Sequence, residues 1–231
     1  MDELSVRLEL DEAIANYDRI EVNNLLKSFP DIVRGSDILH TSVQYQRDDE
    51  AFGIFLDLHG SGANPLLVDD QGNTVLHQLC WEKFIEAPGY YDEEIIRVLI
   101  KDGVRINSRN EQQLTPLWIA SAWFREDRNK SIDGNFLECC LIEYGANINY
   151  GNAQNVTPLH LAVIHDDLPY VQFLICCGAN LNSLTISDDE FPNGRHSNAK
   201  IKKGSSPLDL CSSAEIRELL LNAGGRPGNG N

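Results

Sequence analysis

His77 and Cys80 lie three residues apart in a segment with helical patterning, close enough for an imidazole to draw a proton from a thiol. A Cys–His nucleophile and base is therefore the first reaction these residue types permit. The other cysteines are the adjacent pairs Cys139-Cys140 and Cys176-Cys177, with Cys211 alone. Neighbouring side chains on a helix diverge, so such pairs make a poor disulfide framework and read as reduced, buried thiols of a cytosolic chain. No CxxC pair or HExxH run offers zinc-ligand spacing, and no GxxxxGK[ST] or GxGxxG loop is present to cradle phosphate. No metal, cofactor or enzymatic activity is expected. Carboxylate runs at Asp48-Asp49-Glu50, Asp92-Glu93-Glu94, Asp166-Asp167 and Asp188-Asp189-Glu190 either complement the starts of helices or form an acidic rim for a basic partner. Arg195, Lys200, Lys202 and Lys203 form the one basic stretch, read as a solvated loop or an anion contact.

The 231 residues are 42% hydrophobic and 23% charged, a composition that can bury a core. The formal net charge of −16 repels phosphate backbones and anionic headgroups, so neither nucleic acid nor membrane is an expected partner. A basic protein or peptide suits it better, although acidity also serves solubility. The opening Met-Asp-Glu-Leu-Ser has no basic segment leading into an apolar one, and no stretch approaches about 18 apolar residues. A monomer in the cytoplasm is expected.

The elements that must position these residues come from a repeat. Thr74-Val75-Leu76-His77, Thr115-Pro116-Leu117-Trp118, Thr157-Pro158-Leu159-His160 and Ser206-Pro207-Leu208-Asp209 each open an apolar helical run. Asp37-Ile38-Leu39-His40 is a degenerate fifth opening. Turns follow at Gly62-Ala63-Asn64, Gly103, Gly145-Ala146-Asn147, Gly178-Ala179-Asn180 and Gly224. Thr or Ser suits a helix cap, Pro suits the first turn, and the closing Gly suits a left-handed stop. On these residues the chain resembles the ankyrin-repeat family over about residues 36–226. The resemblance implies an all-α solenoid of helix pairs joined by β-turn fingers. One pair cannot bury its apolar face, so pairs must stack.

The organisation expected is a helical cap over 1–35, a degenerate repeat over 36–68, and repeats with insertions over 69–109 and 110–151. A regular repeat over 152–183, a polar insertion over 184–204, a capping repeat over 205–226 and a flexible tail over 227–231 complete it. The insertions span Trp81–Asp92 and Trp123–Asn135. Gln113 and Asn155 stand where the first finger has Gly72; Asn tolerates a positive φ and Gln does not, so an irregular second finger is expected.

The resemblance further implies that His77 and His160 are structural, bonded to backbone and to the opening Thr of a neighbouring unit, with Cys80 at a small core position. It places partner contacts on the concave side. Positions near the end of each first helix are Tyr45, Trp81, Trp123 and His165, a stripe of rings suited to an interface. Trp81 and Trp123 also begin the insertions and equally suit anchoring them. Finger residues Asp70, Gln71, Asn73, Arg109, Glu111, Gln112, Tyr150, Asn152, Ala153 and Gln154 extend the contact. Asn149 and Asn182 occupy the turn position that asparaginyl hydroxylases modify in some family members. The function implied is a scaffold or adaptor holding a protein or peptide. A second reading is an effector delivered by an intracellular bacterium into host cytoplasm, where it would bind a host protein.

Overall fold

A computed structural model describes residues 3–35, 37–44, 49–81, 91–122, 136–192 and 198–229. Helix pairs stack in two compact units, residues 1–111 and 112–231. The first unit contains α1 (Glu3–Ala15), α2 (Arg19–Ser28), α3 (Ile38–Ser42), α4 (Asp49–Gly60), α5 (Val75–Trp81) and α6 (Asp92–Lys101). Within it α1 packs on α3 and α3 on α5, while α2 packs on α4. The second unit contains α7 (Pro116–Ala122), α8 (Phe136–Glu143), α9 (Pro158–Ile164), α10 (Leu168–Cys176), a 3-10 turn (Pro207–Leu210) and α11 (Ala214–Asn222). Here α7 packs on α9 and α9 on the 3-10 turn, with α10 against α11. The class is all-α, as expected, and almost no sheet accompanies it among the described residues.

The first helices α3, α5, α7 and α9 are short and sealed. Every residue of α9, from Pro158 to Ile164, is buried, as are six of the seven in α5, Val75 to Cys80. Such helices are too short to stand alone, and tertiary packing stabilises them. Second helices bury one stripe, for example Tyr170, Val171 and Leu174 on α10. That stripe leaves Cys176 and Cys177 exposed, unlike the buried thiols expected of them, whereas Cys80, Cys140 and Cys211 are buried. Side-chain oxygens start α2, α10 and α11: Asp18 accepts from the Glu21 N–H, Asp167 from Tyr170 and Ser213 from Ile216.

Between pairs the chain forms fingers, and three of them are built on a side-chain oxygen, five residues before the opening residue at Asp69 and Asn152 and ahead of the insertion at Thr185. Asp69 accepts from the N–H groups of Gln71 and Asn73, at 2.9 and 2.8 Å. Asn152 accepts from Gln154 and Val156 at 3.0 and 2.9 Å, and Thr185 Oγ1 accepts from Ser205 at 3.0 Å. Two residues before each opening the backbone is left-handed, at Gly35, Gly72, Gln113, Asn155 and Gly204. Gln113 has φ 62°, beside 73° at Gly72 and 59° at Asn155. The second finger is therefore regular, contrary to the expectation from its Gln. A left-handed residue with a Cβ costs about 1–2 kcal/mol, which the finger's bonds offset.

A third recurring contact joins one pair to the next. At three openings the residue three further on reaches the carbonyl just before the following opening. His40 Nε2 donates to the Asn73 carbonyl at 2.9 Å, Trp118 Nε1 to Val156 at 2.6 Å, and His160 Nε2 to Ser205 at 3.4 Å. The other ring nitrogen works inside its own repeat. Nδ1 of His160 accepts from the Thr157 N–H at 3.1 Å and lies 2.8 Å from Oγ1; Nδ1 of His77 has the same partners in Thr74, at 3.0 and 2.8 Å. The opening Thr bonded to each histidine is thus its own, not a neighbour's, because three residues along one helix bring the two side chains together.

The insertion over 184–204 is a built element. β1 (Asp189–Pro192) and β2 (Asn198–Ile201) pair antiparallel, with Asp189 opposite Ile201 and Glu190 opposite Lys200, so the fourth finger is drawn out into a hairpin. The segment expected as a flexible tail is tied down as far as Asn229. The N–H of Arg226 bonds to Asn182 Oδ1 at 2.7 Å, that of Gly228 to Asp209 Oδ2 at 2.7 Å, and that of Asn229 to the Gly204 carbonyl at 2.9 Å.

Candidate protein-binding face

The fingers hold their backbones in place and turn variable side chains outward. In the first unit Asp70, Gln71, Arg109 and Glu111 are exposed. Their two fingers are tied by the Glu111 N–H to the Gln71 carbonyl at 3.1 Å, and by Asn110 Nδ2 to Asn73 Oδ1 at 2.8 Å. Asn73 and Asn110 are buried in that junction and belong to the framework. Gly72 allows the close approach: a Cβ there would lie 3.2 Å from the Glu111 nitrogen. Burial pushes the Asp69 carboxyl up, yet the bonds from Asn73 and Gln71 outweigh it and hold its pKa below the ordinary aspartate value. Asp69 is thus a charged brace beneath the exposed residues.

In the second unit Gln112 and Tyr150 are exposed, Tyr150 by 39%, and Gln154 is half-buried. The Gln154 carbonyl accepts from Ile186 at 3.0 Å, and Asn155 Nδ2 donates to Leu184 at 2.7 Å, which binds this finger to the base of the hairpin. Leu184 and Ile186 are exposed beside it. Asn149 Oδ1 accepts from Asn180, and Asn182 Oδ1 from Arg226, so both asparagines act as braces.

The expected stripe of rings fares differently. Tyr45 and Trp123 lie outside the described residues. Trp81 ends α5 and is half-buried. His165 is only 4% exposed, which removes it from any contact surface. Helical counting fails there because α9 stops at Ile164, and His165 is the cap before the left-handed Asp166 turns the chain. One ring contact was not foreseen. Tyr91, next to the first insertion, stacks on Phe52 at 4.4 Å between centroids and donates to Asp49 at 2.5 Å. The bond to Asp49, chiefly, raises the Tyr91 pKa. Its signal was the aromatic pair Tyr90-Tyr91 in a polar insertion, but its partner could not be read from spacing.

The Cys–His pair is closed to substrate. His77 and Cys80 both have 0% exposure, and Nδ1 of His77 already accepts from Thr74. Among the described residues no group of three or more His, Cys, Asp or Glu could hold a metal ion, and no helix is long and apolar enough to cross a membrane.

A family model described as ankyrin repeats, in three copies, matches residues 92–185. Residues 92–185 of the chain are ankyrin repeats. Its repeats are similar to those of ankyrin repeat and SOCS box protein 11 of Mus musculus, 29% identical over 135 residues, which cover 58% of this chain and 34% of that protein. They are also similar to the nuclear factor NF-kappa-B p105 subunit of Gallus gallus, 24% identical over 90% of this chain and 24% of that protein. The chain thus spans about a third and a quarter of the curated relatives it matches. Ankyrin repeats are in general protein–protein interaction modules, and the family is typically a non-enzymatic scaffold.

Proposed function

We propose that this protein is a binding scaffold or adaptor that grips a protein or peptide partner with its finger residues. The observation carrying the reading is the contrast at the fingers. Their backbones are fixed by a repeated set of bonds, while Asp70, Gln71, Arg109, Glu111, Gln112 and Tyr150 point outward and differ from repeat to repeat. A framework already ordered before contact loses little conformational entropy on binding. The net charge of −16 supports a partner with a basic surface.

The test begins with affinity capture from a cell extract and identification of the bound protein. Titration calorimetry of the purified pair then compares the wild type with the double variant Asp70→Lys, Glu111→Lys and with Tyr150→Ala. The finger reading expects at least a tenfold loss of affinity in one or both, with unchanged melting curves, and weaker binding at higher salt. A partner held with wild-type affinity by both folded variants would refute it.

A further inference from the structure

At three junctions the residue three past an opening gives a ring N–H to the carbonyl before the next opening: His40 to Asn73, Trp118 to Val156 and His160 to Ser205. Asp209 holds the same position in the repeat opened by Ser206, and an ionised carboxylate has no proton to give. Its Oδ2 accepts instead. Two of its partners are the Ser206 N–H at 2.8 Å and the Ser206 hydroxyl at 2.9 Å, which reproduce the cap that His160 gives Thr157. The third is the N–H of Gly228 at 2.7 Å. The polarity of the junction is reversed, and the group that follows is the chain's own segment 225–229.

That segment follows the path of an ordinary finger. Gly225 bonds back to the Leu220 carbonyl at 2.8 Å, as Ala179 does to Leu174 at 2.9 Å. Arg226 takes from Asn182 the bond that Asn180 takes from Asn149, both at 2.7 Å. Gly228 then passes so close to the fourth finger that a Cβ would stand 2.2 Å from the Gly204 carbonyl, 2.9 Å from Asp209 Oδ2 and 2.9 Å from Leu184 Cδ2. Only glycine fits. Asn229 closes the contact on the Gly204 carbonyl.

We infer that segment 225–229 is a clip that Asp209 recruits and holds against the fourth finger. It occupies the Asp209 carboxylate, the Gly204 carbonyl and the Asn182 amide oxygen, beside the partly exposed Leu184. Two substitutions in the full chain separate clipping from helix capping. Asp209→His restores the residue found at His160, which caps but offers Gly228 no carboxylate. Gly228→Ala leaves the cap untouched and blocks the clip's path.

Amide hydrogen exchange followed by NMR reads the outcome at Arg226, Gly228 and Asn229. In the wild type these amides are protected. Each variant is expected to lose protection there at least tenfold, while the Leu161 and Val171 amides of the preceding pair keep theirs. Wild-type amides exchanging at unprotected rates would overturn the inference. So would Gly228→Ala retaining wild-type protection, which no failure of the helix cap could explain.

Discussion

Acid should unlock the second unit through His160. The ring is 0% exposed, and its Nδ1 accepts from the Thr157 N–H, so an added proton would face that donor at 3.1 Å. Burial, the main cause, lowers the His160 pKa from 6.5 to about 4. Because the folded value is depressed, the contribution to stability is complete above pH 6.5 and is lost as pH falls toward 4, where the unfolded chain takes a proton the folded one refuses. At 1.36 kcal/mol per unit the full loss is about 3 kcal/mol, of which about 2 kcal/mol falls between pH 7 and pH 5. Urea unfolding followed by circular dichroism, on the wild type and on His160→Gln, isolates this contribution, since His40, His77 and His165 remain in both. The variant is expected to be less stable at pH 7 yet to lose about 2 kcal/mol less on going to pH 5. Two pH profiles that run parallel to within about 0.5 kcal/mol would refute the reasoning.

Three further outcomes follow from single contacts. Trp118→Phe leaves the buried Val156 carbonyl without the ring donor and should cost about 1–2 kcal/mol, seen as a lower urea midpoint. Asn152→Ala removes the oxygen that two N–H groups share; a similar cost of about 1–2 kcal/mol should come with faster exchange at Gln154 and Val156. Arg19 meets Asp57 at 2.6 and 3.1 Å in the space left by Gly53, and this bond chiefly keeps the Asp57 pKa below its ordinary value. With Arg19 40% exposed the pair is screened, so Asp57→Asn should cost less than about 1 kcal/mol at pH 7 in a melting experiment, and the difference should shrink as pH falls below the carboxylate range.

The stacked pairs were legible because Thr-Pro-Leu-His is a local rule. The cap, the first-turn proline and the inward leucine all act within a few residues, and so does the bond from Thr157 to His160. Capping of α10 by Asp167 is equally local. What the sequence hid depends on distant groups. The reach of Trp118 to Val156 crosses 38 residues, and no periodicity marks a tryptophan as a substitute for histidine. Gln113 looked unfit for a left-handed turn because intrinsic preference was weighed without the finger's bonds. His165 looked exposed because its position was counted along a helix that had already ended at Ile164. The hairpin from Asp189 to Ile201 was read as loop, since four-residue strands in a charged stretch carry too little pattern to declare themselves. Of the residues proposed for partner contact, Asp70, Gln71, Arg109 and Glu111 are exposed, and that exposure follows directly from where a finger must turn.

The exchange of histidine for tryptophan at one seam has a consequence for how the second unit comes apart. An indole keeps its proton throughout the pH range in which an imidazole changes state. Acid therefore sets His160 Nδ1 against the Thr157 N–H and breaks that cap, while the indole of Trp118 keeps its bond to Val156. Loosening therefore starts at the helix opened by Thr157, and the helix opened by Thr115, whose ring cannot take up a proton, is spared.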